Sequence, residues 1–186
     1  MNIVETIYGR RSIRAYETRE PDHNLIEALI WDAAQAPPPA ARAAHRLAFV
    51  VVVGSDRLAK MGERAKAFST AHRPPGGGSS WIDNPDFKFF WNAPTLILIC
   101  AARDLPETDW DCCRAAQNLM LSAYSRGLGS CWVGAPLDWL RSEPGSAEAG
   151  IPDGFEAVAP ILIGWPQVTP PPREVPRPLI VWRTEP

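Results

Sequence analysis

Five arginines carry most of the chemistry this sequence offers: Arg10, Arg11 and Arg14 near the start, and Arg173 and Arg177 among prolines near the end. A phosphomonoester bears close to two negative charges, so holding it takes several converging guanidinium, ammonium or hydroxyl donors. Arg10 and Ser12 supply both kinds within one short stretch. The competing reading is a solvated basic turn after a helix. Other constellations are missing. His23, His45 and His72 lack the i, i+4 pairing that a helical zinc site uses, so no metal centre is expected. There is no G-x-S-x-G, no P-loop and no G-x-G-x-x-G, and the last absence argues against a dinucleotide held on a Rossmann unit. Cys131 sits between Ser130 and Trp132 with no His or Lys placed by sequence to activate it, so it reads as a buried, inert thiol.

The elements that must position these groups can be read from periodicity. Ile3, Val4 and Ile7 share a face of a short helix that Gly9 should cap, with the basic cluster on the following turn. Pro21-Asp22 opens a second helix carrying Leu25, Ile26, Leu29, Ile30, Ala33 and Ala34, which must stop before Pro37-Pro38-Pro39. Ala48 to Val53 reads as a buried strand ended by Gly54, and Ser55 caps a third helix with Leu58, Met61, Ala65 and Phe68. His72 to Ser80 looks flexible. The aromatic run Phe87 to Trp91, read as core or dimer packing, leads into a buried strand from Thr95 to Cys100. Thr108-x-x-Asp111 resembles a capping box, opening a helix whose stripe is Cys113, Ala116, Gln117, Met120, Ala123 and Tyr124. Gly129 to Gly134 is a short strand or extended loop, and Val158 to Gly164 a final strand bent at Pro160. The prolines from Pro166 onward make the end an extended arm.

With 186 residues the chain is long enough for one domain with its own core. A net charge of -2 leaves no overall positive field for nucleic acid or an anionic membrane, and neither is expected as a partner. Proline is about twice its usual ~5%, clustered at joints rather than spread through a low-complexity tract. Cys100, Cys112, Cys113 and Cys131 form no C-x-x-C pair and read as reduced thiols of a cytoplasmic protein. The start carries an acid at Glu5 and no long apolar run, unlike a signal peptide. Helices mixed with unevenly spaced strands favour α+β.

The order Arg10-Arg11-Ser12-Ile13-Arg14-Ala15-Tyr16, Ala36-Pro37, the valine strand, Ala93-Pro94-Thr95-Leu96-Ile97, Ala115-Ala116-Gln117-Asn118-Leu119, Gly127-Leu128-Gly129-Ser130-Cys131-Trp132-Val133-Gly134, then Ile163-Gly164-Trp165-Pro166 and a Pro/Arg tail resembles the FMN-dependent nitroreductase family. It spans residues 1–186 as a single nitroreductase-like domain, excepting a variable helical or flexible excursion at about 55–92, with an extended C-terminal arm at 166–186. The resemblance implies a mixed, mostly antiparallel central sheet flanked by helices, and an intertwined homodimer with two FMN sites at the subunit interface. It implies an oxidoreductase that uses NADH or NADPH to reduce a small acceptor such as a nitroaromatic or quinone. Carried onto this chain, Arg10 and Ser12, with Arg11 beside them, would hold the FMN phosphate, joined by Arg173 or Arg177 from the tail. Arg14 would lie at N1 and O2, where negative charge gathers on two-electron reduction. Trp132 and Val133 would lead to backbone N–H groups of Gly134 and Ala135 facing N5 and O4, where hydride arrives. Such chemistry needs orientation and an open face, so no side chain is expected to act as a catalytic acid, base or nucleophile.

The chain departs from the family pattern in one loop. Where hydroxyl and amide side chains are usual, it has Pro39, Ala40, Ala41, Ala43 and His45 as the candidate flavin contacts. Three missing side-chain hydrogen bonds at ~0.5–1.5 kcal/mol each predict FMN binding weaker by about one to three decades. Two alternatives therefore stand beside the main reading: a binding protein of this fold with a weakened or lost flavin site, and a flavin enzyme of other chemistry, such as dehalogenation, enone reduction or flavin fragmentation.

Overall fold

The computed structural model describes residues 2–36, 46–73, 82–105 and 108–183. Among the described residues, six helices and four strands follow one another as α1 (Ile3–Gly9), α2 (His23–Ala34), β1 (Leu47–Val53), α3 (Ser55–Ala71), β2 (Thr95–Ala102), α4 (Thr108–Ser125), β3 (Gly129–Trp132), α5 (Leu137–Arg141), α6 (Glu143–Ala149) and β4 (Phe155–Gly164). The sheet order is β1-β2-β4-β3, with every neighbouring pair antiparallel. The parallel component expected of a mixed sheet is reduced, among the described residues, to a single bridge between Ser12 and Ser130.

The sheet buries both faces. Leu96, Leu98 and Leu162 pack on one side with Leu58 and Met61 of α3, Phe89, Phe90 and Trp139. Ile97, Ile99, Ile161 and Ile163 pack on the other with Ile26 and Leu29 of α2 and Leu119 of α4. Alternation at period two produces this segregation, since successive side chains of a strand point to opposite faces. β2, central and wholly buried, needs apolar residues on both faces and has them. β1 is an edge strand with Val52 alone fully buried, contrary to the buried strand its valine run suggests. Continuous apolarity marks a strand but does not say how many neighbours it has.

Other expectations shift by a residue or two. Gly9 lies inside α1 rather than capping it; a Cβ there would meet the Tyr124 hydroxyl at 2.2 Å, so close packing explains the glycine. In α4 the buried stripe is Cys112, Ala115, Ala116, Leu119, Met120 and Ala123, which turns Cys113 outward. Among the described residues the Thr108–Asp111 capping box does not form, and the Thr108 hydroxyl donates to the Leu105 carbonyl at 2.7 Å. Asp111 is instead buried against Arg46, whose Nε donates to it at 2.7 Å. β4 is bulged at Val158, where the register steps from Ala159 opposite Ile99 to Ala157 opposite Cys100, rather than bent at Pro160. α5 and α6 have no counterpart in the sequence reading. Gly145 lets them meet, because a Cβ there would sit 1.9 Å from the Trp139 carbonyl oxygen.

Candidate functional site

The helix α1 ends at Arg10, whose φ of -56° and ψ of 137° turn the chain extended. The next residues are stitched to the sheet. The Ile13 N–H donates to the Ser130 carbonyl at 2.9 Å, the Glu17 N–H to that of Trp165 at 2.9 Å, and Gln167 to that of Ala15 at 3.0 Å. An extended segment places alternate side chains on one side. Arg10, Ser12, Arg14 and Tyr16 accordingly gather around the Cys131 thiol of β3, with the Ser12 hydroxyl in hydrogen-bonding reach of the sulfur and both guanidinium groups close enough to favour its ionised form. Burial outweighs all three influences and holds the Cys131 thiol above its usual pKa, in keeping with an inert cysteine. Burial likewise pushes the Tyr16 phenol upward, and its hydroxyl donates to the Ile13 carbonyl at 2.7 Å.

The two guanidinium groups of that row differ from Arg11. Among the described residues, neither Arg10 nor Arg14 has a carboxylate partner or a side-chain hydrogen bond. Arg11 points the other way, its Nη1 donating to the carbonyls of Tyr8 at 2.6 Å and Arg10 at 2.9 Å and its Nε to Pro171 at 3.2 Å. It ties the first helix to the arm. Between them lies a cleft of ≈ 240 Å³, whose walls include Arg10, Arg11, Tyr124, Ser130, Pro166 and Thr169. Ser130 is 1% exposed, and its hydroxyl has no hydrogen-bond partner among the described residues. An orphaned buried hydroxyl beside an unpaired arginine suits a site whose anion completes it.

β3 delivers a second set of donors. After the half-buried Trp132, the Val133 N–H donates to the Pro160 carbonyl at 2.9 Å, and a turn closes when the Leu137 N–H reaches the Gly134 carbonyl at 3.1 Å. Within that turn the N–H groups of Gly134 and Ala135 have no backbone acceptor among the described residues. Gly134 is exposed, and a Cβ built on it would meet nothing within 4 Å. Open space over two free donors is what a flat, acceptor-bearing ligand needs.

Other expected site residues are not gathered there. Arg173 and Arg177 lie exposed on the arm, without an ion pair or hydrogen bond to another described residue. Pro39, Ala40, Ala41, Ala43 and His45 lie outside the described residues, as does most of the 72–80 segment. In the opposite direction, Trp91, assigned from sequence to packing, stands with its ring centroid 6.0 Å from the Arg14 Cζ. The preceding aromatic run gave no sign of that neighbour, because the contact is made by the turn and not by the run.

Comparison with known proteins identifies the fold that carries this geometry. The family model described as "Nitroreductase family" matches residues 7–165. The chain belongs to the Nitroreductase family. Like its family it is an oxidoreductase, with the α+β fold set out above. The match ends at Trp165, so the row from Arg10 to Tyr16 and the turn at Gly134 fall inside it and the arm outside. A protein of Methanothermobacter thermautotrophicus named "Putative NADH dehydrogenase/NAD(P)H nitroreductase" is 31% identical over 182 residues, covering 94% of this chain and 83% of its own length. A nitroreductase with bound FMN from Desulfitobacterium hafniense superposes with a TM-score of 0.83 at 23% identity, covering 99% of this chain and 100% of its own. Iodotyrosine deiodinase bound to FMN and 3-iodo-L-tyrosine shares the fold at a TM-score of 0.76 and 17% identity, over 98% of this chain and 100% of its own. Among the described residues, no helix is long and apolar enough to cross a membrane.

Proposed function

We propose that this nitroreductase-family chain binds FMN and uses NADH or NADPH to reduce a small acceptor such as a nitroaromatic or a quinone. One observation carries the reading: among the described residues, Arg10 and Arg14 stand without carboxylate partners on the same side of one extended segment beside β3, the strand that leads into a turn with two backbone donors lacking a described acceptor. Cations left unpaired in a fold that pairs Arg46, Arg64, Arg73 and Arg141 with carboxylates suit an anionic ligand. FMN fits that donor set at both ends, with a phosphate for guanidinium and hydroxyl groups and a flavin edge rich in acceptors.

In this reading Arg10 and Ser12 hold the phosphate, and Arg11 keeps the arm against the first helix so that Arg173 or Arg177 can join them. The orphaned Ser130 hydroxyl is a further donor toward the same cleft. Arg14 stands at the pyrimidine edge and favours the anionic reduced form by charge. The N–H groups of Gly134 and Ala135 would serve the edge carrying N5 and O4, and Trp132 and Val133 belong to the strand that presents them. When bound, FMN would supply two-electron redox chemistry between the nicotinamide donor and the acceptor. The chain itself orients, leaves one face open and moves no proton.

A homodimer belongs to the same reading. Ile3, Ile7 and Tyr8 of α1 and Leu179, Ile180 and Trp182 of the arm are exposed, Leu179 by 93%, and a second copy exchanging arms would cover them. A cytoplasmic location belongs to the same reading and is supported by the four free cysteines and by the proposed use of NAD(P)H.

The test is the visible spectrum of protein purified without added cofactor, repeated after FMN addition and gel filtration, then bleaching by NADH and NADPH without oxygen. Retained colour that bleaches is expected, followed by reoxidation with a nitroaromatic or a quinone. Reoxidation by an iodophenol alone would replace the acceptor class with that of a dehalogenase. Protein that stays colourless after FMN addition would overturn the reading.

A further inference from the structure

Two consecutive residues that are not glycine, Trp91 and Asn92, have φ of 50° and 54°. Asparagine tolerates this left-handed region, but a bulky tryptophan there is an outlier that surrounding structure must impose. The structure around it is extensive. The Lys88 ammonium donates to the Asn92 side-chain oxygen at 3.1 Å, and the Trp91 and Ala93 N–H groups reach the carbonyls of Lys88 and Phe90 at 3.3 and 2.8 Å. Phe87 meets the indole edge-on, with centroids 5.2 Å apart and planes at 88°. Lys66 of α3 fastens the start of the turn through the carbonyls of Asn84, at 2.6 Å, and Phe87, at 3.3 Å. The indole so fixed lines a cleft of ≈ 200 Å³ against α3 on one side and faces the Arg14 guanidinium on the other. Strained backbone held by its surroundings points to a positional requirement.

We propose that Trp91 is a positioning residue for Arg14: the strained 91–92 turn holds the indole against the guanidinium by a cation–π contact, fixing that charge where the proposed flavin site needs it. The inference rests on the assignment of Arg14 to the flavin edge. It assigns a task in this site to the 55–92 segment, through a residue that need not touch the cofactor. Because Arg14 is exposed and without a carboxylate partner among the described residues, the indole is the one described group that restrains its guanidinium.

The experiment compares wild type with Trp91→Leu, Trp91→Phe, Arg14→Ala and the Trp91→Leu/Arg14→Ala pair. In protein free of FMN, the ring current of the indole is read from the Arg14 side-chain resonances by NMR. In the FMN-loaded protein, the readout is the ratio of affinities for reduced and oxidised FMN, taken from the midpoint potential. We expect Trp91→Leu to return the Arg14 resonances to solvent-like positions and to lower the affinity ratio by about 5-fold. Trp91→Phe, which keeps a π face, should retain most of both, and Trp91→Leu should add nothing on top of Arg14→Ala. Trp91→Phe also covers the case in which the leucine variant fails to fold. An unchanged ratio in Trp91→Leu, with Arg14→Ala altered, would sink the role of Trp91 while leaving the flavin assignment standing. Unshifted Arg14 resonances in wild type would sink the contact itself. A protein that binds no FMN would overturn the inference together with the reading beneath it.

Discussion

Truncation of Arg10 isolates the proposed phosphate contact, because the rest of the fold asks little of that side chain. Among the described residues its guanidinium makes no ion pair and no hydrogen bond, so Arg10→Ala breaks nothing that holds the chain together. Stability should stay within about 0.5 kcal/mol of wild type. The loss falls on the ligand: a hydrogen bond to a charged group contributes about 1.5–3 kcal/mol, which predicts FMN binding weaker by ~10–150-fold. Riboflavin provides the internal control, since it carries the same ring system and ribityl chain without the phosphate. Fluorescence quenching titrations with both flavins should therefore show a large loss for FMN and an unchanged, weaker affinity for riboflavin. Arg11→Ala is the contrasting case, because it releases the carbonyls of Tyr8, Arg10 and Pro171 and should lower thermal stability as well. Equal losses for FMN and riboflavin in Arg10→Ala would show that Arg10 acts on the ring or on the fold, and the phosphate assignment would be withdrawn.

Three further outcomes follow from the packing. Gly134→Ala places a methyl group where nothing lies within 4 Å, so unfolding midpoints should not move, while FMN affinity should fall if the ring occupies that space; equal affinity would place the ring elsewhere. Arg46→Met strands Asp111, whose side chain is 6% exposed, with Arg114 as its remaining charge partner, and should cost about 3–5 kcal/mol in urea unfolding; a loss under about 1 kcal/mol would mean the carboxylate finds water. Burial pushes the Cys100 thiol up to about 12, so above pH ~9 the unfolded chain releases a proton that the folded chain keeps. Stability should then fall as pH rises from ~9 toward 12, and Cys100→Ala should flatten that slope by about 1.4 kcal/mol per pH unit; an unchanged slope would show that the thiol ionises equally in both states.

The legible parts of this molecule are those where one residue type answers one local demand. Asp22 caps α2 through the Leu25 N–H, and Gly54 ends β1 with a φ of 108°, so both boundaries could be read from single letters. The row Arg10, Ser12, Arg14 was visible as chemistry, but its convergence on Cys131 depended on the chain leaving α1 extended and pairing with β3. Helix phase was harder. The stripe expected through Cys113 is one residue out of phase: α4 buries Cys112 instead, together with Asp111, which pairs with Arg46 in a long-range ion pair with no local trace. α5 and α6 were missed because their closeness comes from the missing Cβ of Gly145, whereas a glycine in sequence reads as a break.

Trp91 shows why one part of the site stayed hidden while the rest was readable. An aromatic run is normally worth most as buried area, and Phe89 and Phe90 are in fact buried at 2% exposure. At the end of the same run the task changes: Trp91, with Asn92 in the left-handed region, stays packed against the core on one side while its ring stands 6.0 Å from the Arg14 Cζ. Backbone sign is a property that letters other than glycine rarely advertise. The arginines at the start of the chain declare a charge requirement, and the strained turn before β2 sets an indole beside the exposed Arg14 guanidinium as its proposed restraint. A site assembled from cations legible in sequence and from a backbone conformation that is not should yield to mutation in the same two ways. Arg10 substitutions should change how tightly a ligand is held. Trp91 substitutions should change how the bound ligand is tuned, with affinity for its oxidised form little altered.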